Sequence, residues 1–222
     1  MIDIDWALIS DSFWPLLRGG LTGTIPLTLA SFTLGLSLAL LLAMMRISGN
    51  RLFSGIARFY ISVIRGTPLL VQLFVIFYGL PSIGLSFDPW PSAVFAFSMN
   101  VGGYAAEIIR AAILSVPKGQ WEAGYTIGMS RSQSLRRLIL PQAARVSVPP
   151  LSNTFISLVK DTSLASLILV TEMFRVAQEI AAFSQEFMIV YVEAAVIYWV
   201  FCLVLSMIQD RLERRLDRYV AH

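Results

Sequence analysis

The chain has 222 residues, of which 56% are hydrophobic and only 14% are charged, with a net charge of +3. Soluble domains carry about a quarter charged residues, so this composition excludes an ordinary soluble protein and predicts an integral membrane protein. A single cysteine and a single histidine exclude an intrachain disulfide and argue against a Cys/His metal cluster, so no metal site is expected.

Five long stretches of the chain carry almost no charge. Crossing ~30 Å of hydrocarbon takes about 20 helical residues, and each stretch reaches that length. None shows the alternation typical of barrel strands. No cleavable signal peptide is expected, because Asp3 and Asp5 stand where such a peptide carries Lys or Arg. We predict one all-α membrane domain over residues 1–222, with spans at roughly 21–45, 59–80, 92–114, 146–171 and 187–209.

Lys and Arg residues are distributed unequally between the connections. Thirteen of the 17, ending with Arg218, lie between spans one and two, between spans three and four, or after span five. Only Arg18 and Arg175 lie in the opposite connections. Cytoplasmic connections carry the excess of basic residues, so the N-terminus is predicted outside and the C-terminus in the cytoplasm. No connection is long enough to fold as a domain.

The connection between spans three and four, residues 117–141, is the most polar and cationic part of the chain. Pro117 and Gly128 predict the start and the C-terminal cap of a short helix. Gly124 and Gly128 lie one turn apart and would let another surface approach the backbone closely. The alternative is a solvated loop whose basic residues only reflect the excess of positive charge on the cytoplasmic side.

A second short helix is predicted over residues 133–140. Ser130 or Ser132 is suited to cap its N-terminus, and Pro141 is expected to end it. Two short helices joined at a glycine would form a compact knob on the cytoplasmic side.

The same segment resembles the cytoplasmic loop signature of ABC importer permeases, which reads Glu-Ala-Ala, three residues, Gly, nine residues, Ile-x-Leu-Pro. Gly124 replaces the second Ala and Leu138 replaces the Ile. The resemblance implies that the loop forms coupling helices that dock in a groove of a cytoplasmic ATPase. The residues that match, and that it implies for coupling, are Glu122, Ala123, Gly124, Gly128, Leu138, Leu140 and Pro141.

Three further stretches resemble the polar amino acid subfamily of these permeases: "RGTPLLVQLFVIFYGLP" at 65–81, "YAAEIIRAAI" at 104–113 and "KDTSLAS" at 160–166. The length matches the five-span histidine, glutamine and cystine type, and the chain is most similar to permeases of cystine importers. The resemblance implies the type I ABC importer permease fold, in the bacterial inner membrane. It further implies import of a polar amino acid by alternating access.

The resemblance also implies the partners. They are two ABC ATPase subunits, which use ATP and Mg, a periplasmic or secreted amino-acid-binding protein, and a second permease, either an identical copy or a sister chain. This chain itself lacks the G-x-x-x-x-G-K-[ST] pattern that cradles ATP phosphates. It is therefore expected to be neither an enzyme nor a cofactor-binding protein, and no nucleic acid partner is expected.

Two adjacent charges interrupt predicted span four. A charged side chain at the bilayer centre costs on the order of 3 kcal/mol. Lys160 lies about 21 Å along a helix from Val146, which is too deep for its ammonium to reach the membrane surface. A zwitterionic amino acid would offer a carboxylate to Lys160 and an ammonium to Asp161, beside the hydroxyls of Thr162 and Ser163.

The alternative is a structural or gating pair, in which Lys160 bonds Glu107 or Glu193 on another span. Glu107 and Arg110 are three residues apart and are predicted to share one helix face as a local pair or gate. Both interpretations of Lys160 and Asp161 remain open from the sequence.

The sequence argues against two other classes of protein. A secondary transporter would predict paired repeats and unwound segments within spans, and neither is evident in the sequence. An integral membrane enzyme would require clustered His, Cys or acidic residues around a cavity, and the lone histidine is the last residue.

Overall fold

The computed structural model describes residues 5–217, with side chains through residue 215, and every regular element in that part is a helix. Arg218, counted above among the basic residues, lies outside it. The α-helices in chain order are α1 Trp6–Gly19, α2 Ile25–Ile47, α3 Arg51–Gly66, α4 Leu69–Phe74, α5 Pro89–Ser115, α6 Lys118–Thr126, α7 Arg131–Ser134, α8 Leu140–Asp161, α9 Met173–Ser184 and α10 Phe187–Asp217.

The first two helices form one continuous 42-residue run, Trp6–Ile47. A π-helical turn at Gly20–Thr24 joins them, and the carboxylate of Asp5 caps the start by accepting the backbone N–H groups of residues 7 and 8. A Cβ at Gly23 would lie 2.6 Å from the carbonyl oxygen of Thr171, so a side chain would clash there. The predicted span over 21–45 is therefore the second half of a longer helix.

The centre of the bundle is the pair α2 and α5, which pack along much of their length. Small residues allow this closeness, as is common between membrane helices. A Cβ at Gly35 would lie 2.6 Å from the Cβ of Val101, and one at Gly102 would lie 2.7 Å from Leu38. Helix α5 contains the predicted third span, and its Phe97 is fully buried in the main hydrophobic core.

The second predicted span, 59–80, is not one straight helix. Helix α3 and the helical segment Leu69–Ile83 meet at 106°. Pro68 has no N–H and disfavours helical backbone at Thr67, whose φ and ψ are −120° and 144°. The side-chain amide of Gln72 donates to the carbonyl oxygens of Ile64 and Thr67, which the break leaves without helical partners.

The prediction that Pro141 ends a helix over 133–140 is wrong. Ser130 does cap α7, in a capping box with Gln133, but the chain then passes through a π-helical turn at Leu135–Ile139 straight into α8. Pro141 lies in the first turn of α8, where a missing N–H costs little.

The end of α8 tightens into a 3-10 helix at Thr162–Ile168, which a left-handed Leu169 (φ 66°) terminates. Helix α9 follows at an angle of 52° to the preceding helical run. The fourth predicted span therefore changes its helical form directly after Lys160 and Asp161.

By length and apolar composition, two helices among the described residues can cross a membrane, Trp6–Ile47 and Phe187–Arg215. The number rises to four if each bent helix pair counts as one span. Helix α5 has 27 residues, or about 40 Å at ~1.5 Å per residue, but it carries Glu107 and Arg110. The count of five spans and its topology stay predictions.

Glu172, which the sequence analysis did not single out, fastens the N-terminal helix to the C-terminal ones. Its fully buried carboxylate accepts hydrogen bonds from the backbone N–H groups of Phe174 (2.9 Å) and Arg175 (2.7 Å) at the start of α9. It also accepts from the hydroxyls of Tyr198 on α10 (2.8 Å) and Thr24 before α2 (3.3 Å). Three separate segments therefore depend on one side chain.

We expect Glu172→Ala to destabilise the folded chain by about 2–4 kcal/mol, because each buried donor left without a partner costs about 1–3 kcal/mol. Glu179→Ala on the same helix is the matched control. It removes only an exposed ion pair with Arg175, which is worth less than about 1 kcal/mol. Thermal unfolding of the purified protein measures the stability of both variants. Equal losses of stability would contradict the role of Glu172 in joining the three segments.

Candidate functional site

A polar cavity of about 710 Å³ opens beside the break between α3 and α4, with α5 and α8 forming its other walls. Its lining contains one basic and two acidic side chains among several hydroxyls and amides. The polar residues that line it are Arg65, Thr67, Asn100, Tyr104, Glu107, Asn153, Thr154, Ser157 and Asp161.

Helix α5 presents Asn100, Tyr104 and Glu107 to this cavity. Their spacing of four and three residues places them on one helix face. The amide of Asn100 donates to the side-chain oxygen of Gln72 at 3.1 Å, which ties the wall of α5 to α4 beyond the break. Asn100 and Tyr104 were not predicted as site residues, although this helical spacing of polar residues in an apolar run is a usable signal.

Arg65 supplies the positive charge of the cavity. Its guanidinium lies 5.4 Å from the centre of the Tyr104 ring, and it forms no ion pair within the described part of the chain. The cation–π contact orients the guanidinium while leaving its donors available. From the sequence, Arg65 was predicted as a cytoplasmic charge and as the first residue of the 65–81 stretch, but not as a site residue. Its position just before the Gly-Thr-Pro break is what brings it into the cavity.

Lys160 and Asp161 lie in different cavities. Asp161 lines the polar cavity, whereas Lys160 and Ser163 line a mostly apolar cavity of about 540 Å³ formed largely by α10. Adjacent helical residues point about 100° apart, which accounts for the separation. Thr162 is buried and donates to the carbonyl oxygen of Val159, so it faces neither cavity.

Neither ion pair considered for Lys160 forms within the described part of the chain. Glu107 bonds Arg110 on its own helix at 2.7 Å and Arg46 on α2 at 3.3 Å. Glu193 instead accepts a hydrogen bond from Ser12 of α1. The predicted local pair of Glu107 and Arg110 is confirmed, and Arg46 extends it to a second helix.

Helices α6 and α7 and the π-helical turn after them form the predicted knob. Gly124 lies inside it, because a Cβ at this position would lie 2.6 Å from Ser134 Oγ and 3.2 Å from Leu138 Cδ1. The expectation that Gly124 faces a partner is therefore wrong: its small size lets α6 and α7 approach each other. Leu138 and Leu140 are half-buried and pack against the main core.

The remaining signature residues of the knob are exposed. Gly128 has a φ of +78°, which a glycine adopts without strain, and no atom would approach its Cβ within 4 Å. Glu122, Ala123 and Pro141 are also exposed.

Two large apolar side chains next to Gly128 lie on the surface of the knob. Tyr125 is 50% exposed and Ile127 is 75% exposed. Neither residue is predicted from the sequence, because their exposure follows from the way α6 packs. The knob therefore presents an apolar patch, Tyr125 and Ile127, at a left-handed glycine.

A bundle of long apolar helices with a charged cavity and a projecting helical knob is consistent with the membrane subunit of a transport system. The chain belongs to the family described as "Binding-protein-dependent transport system inner membrane component", whose profile matches residues 31–218. It is 62% identical over 219 residues to the L-cystine transport system permease protein TcyB of Bacillus subtilis, covering 98% of this chain and 94% of that protein. It is 40% identical over 217 residues to the glutamine transport system permease protein GlnP of Escherichia coli K12, covering 97% and 99%.

A solved structure has the same fold. The chain matches the crystal structure of an amino acid ABC transporter with histidines at a TM-score of 0.89 and 34% identity, covering 96% of this chain and 100% of that one. The fold is therefore the all-helical type I ABC permease fold. The expectation that no span contains an unwound segment is wrong, because the break at Thr67–Pro68 is one, and so it does not argue against a secondary transporter. Family membership is what excludes that class.

Proposed function

We propose that this chain is the transmembrane subunit of an ATP-driven importer that moves a polar amino acid, cystine, across the bacterial inner membrane by alternating access. The single observation that carries the proposal is the polar cavity, in which Arg65 and Asp161 offer opposite charges that no ion pair among the described residues neutralises. The relatives named for cystine and glutamine transport support the class of substrate.

The charges of the cavity suit a zwitterion. Arg65 is free to bind an α-carboxylate, and Asp161 to bind an α-ammonium group. Glu107 is already held by two guanidiniums, so we assign it to bracing α2 against α5 rather than to the substrate. Lys160, Ser163 and Thr162 do not line this cavity, and of the adjacent charges Asp161 alone is proposed to contact substrate.

Substrate identity is tested by reconstituting the permease with its ATPase and binding protein in liposomes. ATP-dependent uptake of labelled cystine is expected to exceed uptake of labelled glutamine by at least about tenfold. Equal uptake of the two, or a preference for glutamine, would overturn cystine as the substrate while leaving the transport class intact.

We also propose that each of two permeases, identical or sister chains, docks one ATPase subunit through its knob, while the opposite side receives the binding protein. The ATPase subunits would use ATP and Mg, and this chain would bind neither. The exposed Tyr125 and Ile127 beside Gly128 support this role, since large apolar side chains on a solvent-facing knob are stabilised when a partner buries them.

The proposed topology of five spans, with the N-terminus outside and the C-terminus inside, is tested by cysteine labelling. In a Cys202→Ser background, a cysteine at Ser86, which is exposed between α4 and α5, should react in intact cells with a membrane-impermeant maleimide. A cysteine at Ser132 in the knob should react only after the membrane is permeabilised. Reaction at Ser132 in intact cells would reject this orientation.

A further inference from the structure

A second cavity, of about 920 Å³, lies where the ends of α2 and α5 meet α3 and the knob. None of the described residues that line this cavity is acidic, and five are basic, so we call it the basic cavity. The basic residues that line it are Arg46, Arg58, Arg110, Lys118 and Arg131.

The positive charge of the basic cavity is only partly neutralised within the chain. Arg46 and Arg110 share one carboxylate, that of Glu107. Arg58, Lys118 and Arg131 are exposed and form no ion pair within the described residues. One carboxylate against five cations leaves an excess of positive charge around a space large enough for a phosphate group, and this excess attracts anions.

Apart from Ser48 and Ser132, the rest of the lining is apolar. Met44, Ile47, Ile113 and Leu114 form part of the wall, and Leu114 is 63% exposed. The occupant that fits both parts is amphipathic, with an anionic group for the guanidiniums and a hydrocarbon chain for the apolar wall.

We propose that the basic cavity binds the headgroup of an anionic phospholipid. Basic pockets between transmembrane helices attract such headgroups at the cytoplasmic surface. The cavity lies at the ends of α2 and α5, which is the level of the headgroups in the proposed orientation, and the inference rests on that orientation. An acidic side chain of a partner protein would pair with the cations but would leave the apolar wall uncovered.

Binding here has a consequence for the polar cavity. The phosphate would compete with Glu107 for Arg46 and Arg110, and Glu107 also lines the polar cavity. The ion pairs of Glu107 with Arg46 and Arg110 therefore connect the lipid site to the proposed substrate site.

The test compares Arg58→Gln with Arg51→Gln in the assembled transporter. Both arginines are exposed on α3, seven residues apart, but only Arg58 lines the basic cavity. The complexes are placed in nanodiscs of phosphatidylcholine with increasing phosphatidylglycerol, and the lipid retained per complex is counted by native mass spectrometry. Removing one cation should weaken phosphatidylglycerol retention about fivefold, and Arg51→Gln should leave it unchanged.

Equal retention by the wild type and both variants would overturn the proposal. Loss of the ATPase from Arg58→Gln with unchanged lipid retention would also overturn it and would make the cavity a protein-docking site. If soluble glycerol phosphate binds as tightly as phosphatidylglycerol, the hydrocarbon chain contributes nothing to binding, which would reject a membrane lipid as the ligand. Lipid retention needs no transport, so it is independent of the proposed substrate.

Discussion

Asp161→Asn is expected to reduce cystine uptake at subsaturating substrate by about tenfold to a hundredfold. The asparagine keeps the shape of the side chain but loses the negative charge proposed to bind the substrate ammonium. Hydrogen bonds to charged groups are worth about 1.5–3 kcal/mol, and each 1.4 kcal/mol is a factor of ten. Uptake of labelled cystine into liposomes that contain the complete transporter measures the effect.

Lys160→Met is the matched control, because Lys160 is the neighbour of Asp161 but lines a different cavity. Its effect on uptake is expected to be at least fivefold smaller. Copurification of the ATPase with both variants controls for assembly. Equal losses of uptake in the two variants would show that Lys160 and Asp161 act together. Normal uptake by both variants would show that neither residue contributes to the translocation path.

Ile127→Asp is expected to release the ATPase from the permease. The side chain is 75% exposed, so the folded permease should tolerate the change. Docking loses the burial of an isoleucine, worth about 1.5–3 kcal/mol, and acquires a charge that the interface must desolvate. We expect at least about a tenfold loss of ATPase copurification, with a parallel loss of ATP-dependent uptake.

Ile127→Leu keeps the apolar surface and should preserve both association and uptake. Gly128→Trp is a less clean test, because its left-handed backbone (φ +78°) disfavours any bulky residue even without a partner. If Ile127→Asp keeps wild-type ATPase association and uptake, this part of the knob is only a solvated connection and the docking role is wrong.

The sequence alone was sufficient to predict the class of the protein. Membrane helices follow from the length and apolarity of each stretch, and both are local properties of the chain. The cap at Ser130 and the left-handed glycine at position 128 were also predictable, because each depends on a few neighbouring residues. The family assignment followed from the loop signature at 122–141 and agrees with the match over residues 31–218.

The tertiary structure decided which of these residues meet. Lys160 and Asp161 are neighbours in sequence but face separate cavities. Gly124 packs inside the knob rather than facing a partner. Arg65 lines the polar cavity only because the chain bends by 106° at Pro68 and brings α3 beside Tyr104 of α5.

The physical reason is that apolarity, charge and capping are read along the chain, whereas a site depends on helix phase and on contacts between distant segments. Several residues of the polar cavity could not be predicted as site residues from the sequence, because a single polar residue in an apolar helix can serve packing as well as binding. The hydrogen bond from Asn100 on α5 to Gln72 on α4 illustrates this, because neither residue's partner can be inferred from its own neighbours. The sequence by itself determined the class of membrane protein and the presence of the helical knob, and packing determined the cavity.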